Sequence, residues 1–377
     1  MILFLNRLSY LKLIFIFSIT LFTTYISSIF PSLVEILYSN FIYKFIGQVL
    51  SIITSFIPFS LAEFLVISIF LYTLIYLINT ITKIIKKSIK FQTAILLILK
   101  NFLAFTVIIY FFFIFLWGLN YYRLPFSQIV NLNTSPASID ELENLCKNLI
   151  QHGNQLRNYI KEDSVGIMTI SGGYKSVFKR ADLGYQNIGQ TIKIFNGKYG
   201  KPKKILFSNF LSYAGISGIY FPFTSETNIN ILQPHSMLPS TVCHEMAHQR
   251  GFAREDEANY IAYLVCIKHP DIDFQYSGIL LAIIHSMNAL YMHDKKKYFE
   301  LEKLYCDGMK RDLCAIRNFW ISHEGPIEKI SNKINDTYLK LNHQKEGVYS
   351  YGKMVDLLIA EYKLKNNLNF NQSKQHF

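Results

Sequence analysis

His244, Glu245 and His248 stand in the order HExxH within the stretch Thr241–Leu264. On a helix, residues four apart project from one face, so both imidazoles can reach a single metal ion. Glu245 follows the first histidine, where it can take a proton from a water acidified by that metal. A catalytic site of this kind needs a third protein ligand and one coordination position left open. The nearest acids after the motif are Glu255, Asp256 and Glu257.

The elements that must position these groups can be read from the flanks. Pro239 suits the first turn of a helix, where its missing N–H has no partner to lose. Arg250 and Gly251 suit the end of that helix, and a second one is expected from about Arg254 to Lys268. In peptidases that use HExxHxxGxxH the third ligand is a histidine; here Gly251 is in place, but the last position is Arg254, which cannot ligate. Glu255-Asp256-Glu257-Ala258-Asn259 resembles instead the pattern of peptidases whose third ligand is a glutamate on the following helix. That makes Glu255 the expected ligand and Glu257 its competitor, with Asn259 one turn on to orient a histidine. Acids in a first helical turn also favour the helix dipole without any metal. Tyr351, with Tyr349 and His323 as alternatives, is the expected stabiliser of a tetrahedral oxyanion. His235, His285 and His323 are each expected to be structural histidines.

Around the motif, Ser138 and Glu141 form a capping box that starts a helix running to about Ile160. Strands are expected at 204–210, 216–223 and 227–232, and helices at 277–292, 294–321, 326–342 and 351–364. Glu226 and Asn228 fall where zincins often place an edge strand that pairs with an extended peptide.

The first third of the chain is of another kind. Of 377 residues, 51% are hydrophobic and 17% charged, and residues 1–120 hold only two acids, Glu35 and Glu63, against eight bases. Three spans are expected, at about 13–30, 60–81 and 102–119, with 32–57 an interfacial or re-entrant helical segment. Trp117, Tyr121, Tyr122 and Arg123 read as an interfacial belt after the third span. The lysines gather at 82–101, so the positive-inside rule and a count of three spans put residues 121–377 outside the cell. No Arg-rich or aromatic-basic platform accompanies the net charge of +12, which argues against a nucleic-acid partner. The five cysteines are odd in number and lack CxxC spacing, so buried thiols are expected, a Cys306–Cys314 disulfide being the alternative.

Three blocks then carry a family resemblance: Trp117–Arg123, Gly218–Thr224 and Cys243–Leu264, joined near the C-terminus by Ser350–Leu357. In this order they resemble a family of bacterial membrane proteins catalogued as a domain of unknown function (3810), with a zincin-like HExxH motif. The resemblance implies a multi-pass protein of the bacterial cell membrane. The fold class expected is mainly α: three N-terminal transmembrane helices (1–120), then an α+β zincin-like metallopeptidase domain with a small sheet (121–377). The expected function is a membrane-anchored zinc metallohydrolase acting on a peptide or protein. Zn²⁺ would be held by His244, His248 and Glu255, with Glu245 as general base and Tyr351 assisting. The alternative is a zincin-like domain that binds or scaffolds without catalysis. An intramembrane protease is disfavoured because Arg250, Arg254 and the acids at 255–257 are unsuited to lipid.

Overall fold

Four apolar helices open the chain in the computed structural model, which describes the backbone of residues 9–375 and side chains through Asn366. They are α1 (Tyr10–Ile29), α2 (Pro31–Ser55), α3 (Leu61–Ile85) and α4 (Phe91–Leu116), each long and apolar enough to cross a membrane. At 1.5 Å per residue, about 20 residues match the hydrocarbon thickness. The expected basic loop at 82–101 is mostly helix: α3 runs to Ile85 and α4 starts at Phe91. Lysines at helix ends can run their aliphatic stems along the apolar surface, so they need not end the helix.

α1 and α4 run parallel. Lys100 lies over the Tyr10 ring, Phe17 meets Tyr110, and Leu13 packs on Ala104 and Val107. α3 and α4 form a hairpin closed by a short turn, with Asn101 donating to the Tyr76 hydroxyl at 3.1 Å. α2 is different. Its first turns, Val34–Tyr43, are wide π turns, and it is two-faced throughout. Tyr43, Gly47, Ser51 and Thr54 are buried against the globular part, whereas Phe41, Phe45, Ile53 and Phe56 are exposed.

The globular part is mainly helical with a small sheet. Ser138 and Glu141 complete the expected capping box of α5 (Ile139–Arg157). The sheet has the order β1 (Lys203–Lys204), β3 (Glu226–Ile229), β2 (Gly218–Phe221), with β1 parallel and β2 antiparallel to β3. Two expectations are corrected here. The strand expected at 204–210 keeps only Lys204 in β1; Leu206 and Phe207 form a turn whose amides are taken by the Glu63 carboxylate, and the helix Ser208–Tyr213 follows. Glu226 and Asn228 sit on the central strand, not an edge. Glu226 is buried, paired with Lys203, and accepts from the Leu61 and Ala62 amides at the start of α3.

Four further helices surround the motif: α6 (Leu238–Gln249), α7 (Glu255–Ile267), α8 (Ile272–His293) and α9 (Asp307–Ile321). α6 is the hub, packing on α7, α8, β2 and β3. Every residue in it is buried except His244, which is half-buried. Most of its buried polar side chains find partners: Ser240 donates to Met237, Thr241 to Gln233, and Gln249 to the Ser225 carbonyl, whereas Glu245 Oε2 and Gln249 Oε1 have none among the described residues. α8 is a core helix, with Phe274, Tyr276, Ile279 and Leu290 buried. α10 (Pro326–Leu341) and α11 (Met354–Gln375) close the domain. All five cysteines are free thiols. Cys306 caps α9 and Cys314 lies in the same helix, about 12 Å along at 1.5 Å per residue, too far for a disulfide.

Candidate metal centre

The HExxH helix ends where the sequence leads one to expect. Gly251 takes a positive φ of 84°, and the Phe252 amide reaches back to the Ala247 carbonyl. The glycine is required twice over, because a Cβ there would lie 2.8 Å from the Tyr43 ring. The chain then turns straight into α7, which brings Glu255 over the two histidines.

His244 Nε2, His248 Nε2 and Glu255 Oε2 form a triangle with edges of 3.0, 3.1 and 3.3 Å. Ligands at a tetrahedral centre with bonds of about 2.0–2.1 Å stand about 3.3 Å apart, so the triangle fits a small divalent cation. The tautomers follow from the partners. Asn259 Nδ2 donates to the Tyr351 carbonyl, which turns Asn259 Oδ1 toward His244 Nδ1 at 2.8 Å. His248 Nδ1 faces the Phe252 carbonyl at 2.7 Å. Both Nδ1 atoms are therefore donors, and both Nε2 atoms present lone pairs to a carboxylate oxygen. Three acceptors meeting at one point require a proton or a cation between them.

The electrostatics express the same demand. Burial alone would raise the Glu255 carboxyl, but the two imidazoles outweigh it and hold it below the usual carboxylate range. Burial disfavours a charge on His248, yet Glu255 and then Glu245 bring its pKa up to about 9. Burial pushes the Glu245 carboxyl upward, with the histidines pulling the other way. Glu245 Oε2 has no hydrogen-bond partner among the described residues.

The other residues singled out by sequence fall into place around this group. Glu257 is not part of it: its Oε1 accepts from the Phe126 amide at 2.7 Å and from Arg254 at 2.8 Å. Arg254, at the position where peptidases with the longer HExxHxxGxxH pattern carry a third histidine, braces the Arg123 carbonyl. Tyr351 stacks near His244, with ring centroids 6.4 Å apart, and burial together with the nearby Glu255 charge pushes its phenol well above the ordinary tyrosine range. Tyr349 is 82% exposed and points away from the group. His235 accepts from the Ile170 amide and His323 bonds to the Phe319 carbonyl, so both are structural. His285 departs from expectation. It has no hydrogen-bond partner among the described residues, and burial together with the nearby His244 lowers its pKa to about 4.

Three contributions were not read from sequence. Gly218 on the edge strand β2 lets the backbone pass Glu245, since a Cβ there would sit 2.7 Å from Glu245 Oε1. The Tyr220 amide of the same strand faces Glu245 and favours its charged form. The His248 carbonyl, which at this helix end accepts the Gly251 amide at 2.9 Å, also receives Trp117 Nε1 at 3.2 Å and the Tyr43 hydroxyl at 3.3 Å. Trp117, Tyr121 and Arg123 are accordingly buried and do not form a lipid-facing belt. Arg123 makes a bidentate pair with Glu35 of α2, both bonds 2.8 Å, and donates to the Gly251 carbonyl. Only the order of the motifs hinted at these contacts, since they join segments 88 to 205 residues apart.

No curated protein and no solved structure matches the chain. A family model does match, over residues 38–359, a range that takes in most of α2, the sheet, the histidines, Glu255 and Tyr351. The chain belongs to the family described as protein of unknown function (DUF3810).

Proposed function

We propose that the chain is a membrane-anchored, zinc-dependent hydrolase that cleaves amide bonds in a peptide or protein. The observation that carries this reading is the convergence of His244 Nε2, His248 Nε2 and Glu255 Oε2 beside a buried Glu245. Zinc suits two neutral imidazoles and a carboxylate, and when bound it supplies Lewis acidity that makes water a nucleophile near neutral pH. Glu245, raised by burial and facing the Tyr220 amide, accepts the proton of the attacking water and passes it to the leaving amine. The Tyr351 phenol, near Glu255, donates to the developing oxyanion. β2 is an edge strand beside Glu245, so an extended substrate can pair with it. A binding protein without catalysis would have no use for an unpartnered carboxylate oxygen at that point, which favours the enzyme.

The lysines at 83–90 lie at the far end of the α3–α4 hairpin from the globular domain, and the positive-inside rule puts that end in the cytoplasm. We accordingly place the globular domain outside, on a bacterial cell membrane.

The test uses the full-length chain in detergent, with metal content by mass spectrometry and cleavage of a diverse peptide library. We expect one zinc per chain and cleavage that Glu245→Gln abolishes without loss of metal. Unchanged cleavage in Glu245→Gln, or no bound zinc in the parent, sinks the proposal.

A further inference from the structure

α2 is long and apolar enough to be a span, yet both of its ends lie on the same side of the helical bundle. At its start, α1 delivers the chain beside the globular domain: α1 packs against the turn Gly118–Tyr122, just past the end of α4. At its finish, the chain enters α3, whose first amides, Leu61 and Ala62, are held by Glu226 of the central strand. The start of α3 and the end of α4 share one side because the two form a hairpin of matched lengths, 25 and 26 residues.

Between those ends, the inner face of α2 is fastened to the globular domain along its length. Glu35 holds Arg123, Tyr43 donates to the Gln249 carbonyl at 3.0 Å, Ser51 accepts from the Gly200 amide at 3.1 Å, and Thr54 donates to the Thr224 carbonyl at 3.2 Å. The outer face is apolar and open, with Phe41 75% and Phe56 83% exposed. It continues onto Leu206 and Phe207, which Glu63 fixes at the level where α3 begins.

We infer that α2 is an in-plane helix whose outer face is seated in the lipid of the bilayer surface, so that the chain crosses the membrane three times. An open apolar face continuous with the three spans fits lipid, as an amphipathic helix lying in the interface does. The metal centre rests on the inner face of this helix. A helix is about 10 Å across, so His248, whose carbonyl Tyr43 caps, lies within roughly one helix diameter of lipid. The site then addresses peptide bonds close to the membrane surface. The placement of α2 does not depend on whether the site cleaves anything.

Two measurements on the full-length chain in phosphatidylcholine vesicles test it, with Cys306 and Cys314 replaced by serine and the buried cysteines left in place. The first is labelling of Ser9→Cys and Ser88→Cys with a membrane-impermeant maleimide. Three crossings make both react from the same side of the vesicle, whereas reaction from opposite sides establishes a fourth crossing and overturns the proposal. The second is nitroxide depth, from collision with oxygen against a nickel chelate, at F41C, F45C, I53C and F56C. We expect one shallow depth, about 5–10 Å into the interface, at all four, while F64C, L71C and I78C on α3 descend through the bilayer centre. A depth that sweeps through the centre along α2, or full access of the nickel chelate to all four sites, overturns the proposal.

Discussion

Asp312 and Glu255 are both buried carboxylates of the globular domain, and their surroundings are opposite in kind. Asp312 is met by donors only: the Met168 amide at 2.7 Å, Arg157 Nε at 2.6 Å and the Tyr276 hydroxyl at 2.8 Å. Its charge is neutralised by the protein itself, and the cluster ties α5, α8 and α9 together. Glu255 Oε2 is met by two imidazole nitrogens whose other ring atoms have already committed their protons to Asn259 and Phe252. A buried carboxylate surrounded by donors is a finished structural element. One that converges with further acceptors is an incomplete ion pair, which a cation would complete. Glu257, only two residues from Glu255, belongs to the Asp312 kind.

The sharpest way to break this contrast is to remove each carboxylate. Glu255→Ala is expected to abolish stoichiometric metal binding while the circular dichroism spectrum stays that of the parent. Asp312→Ala removes the buried partner of Arg157, leaving it only the exposed Glu162 as a counter-charge, and is expected to cost up to about 3–5 kcal/mol of stability. Loss of fold in Glu255→Ala together with an unaffected Asp312→Ala would invert the assignment. Next in size is Glu245→Gln, which keeps shape and metal but removes the base. Hydrolysis should fall roughly 10²–10⁴-fold with zinc content unchanged, and a parallel loss of zinc would move Glu245 from chemistry to structure.

How much of this was legible in the sequence follows from range. The capping box of α5, the ends of α6 and the helical spacing of His244 and His248 are decided within a few residues, and they stand as read. Glu255 follows within one turn of the HExxH helix, so its place was also within reach. The misreadings concern residues whose partners are remote. Trp117 and Arg123 look like an interfacial belt until the His248 carbonyl and Glu35 claim them. Glu226 looks like a strand-end acid until Lys203 and the start of α3 enclose it. Leu206 and Phe207 have strand-like composition, but the Glu63 carboxylate on their amides starts a helix instead.

Smaller effects separate the groups that hold the metal ligands. Asn259 fixes both the tautomer and the orientation of the His244 ring, so Asn259→Ala should weaken zinc binding roughly 10–100-fold in a competition titration with a chelator. Tyr43 acts one bond further out, on the carbonyls of His248 and Gln249 rather than on a ring. Trp117 still donates to the His248 carbonyl when the Tyr43 hydroxyl is removed. Tyr43→Phe therefore forfeits about 0.5–1.5 kcal/mol, read as a lowered unfolding temperature, with zinc affinity changed less than in Asn259→Ala. The order matters more than either number. If Tyr43→Phe weakens zinc as much as Asn259→Ala does, the helix end is a working part of the metal site, and the seating of α2 on the globular domain sets the ligand geometry directly.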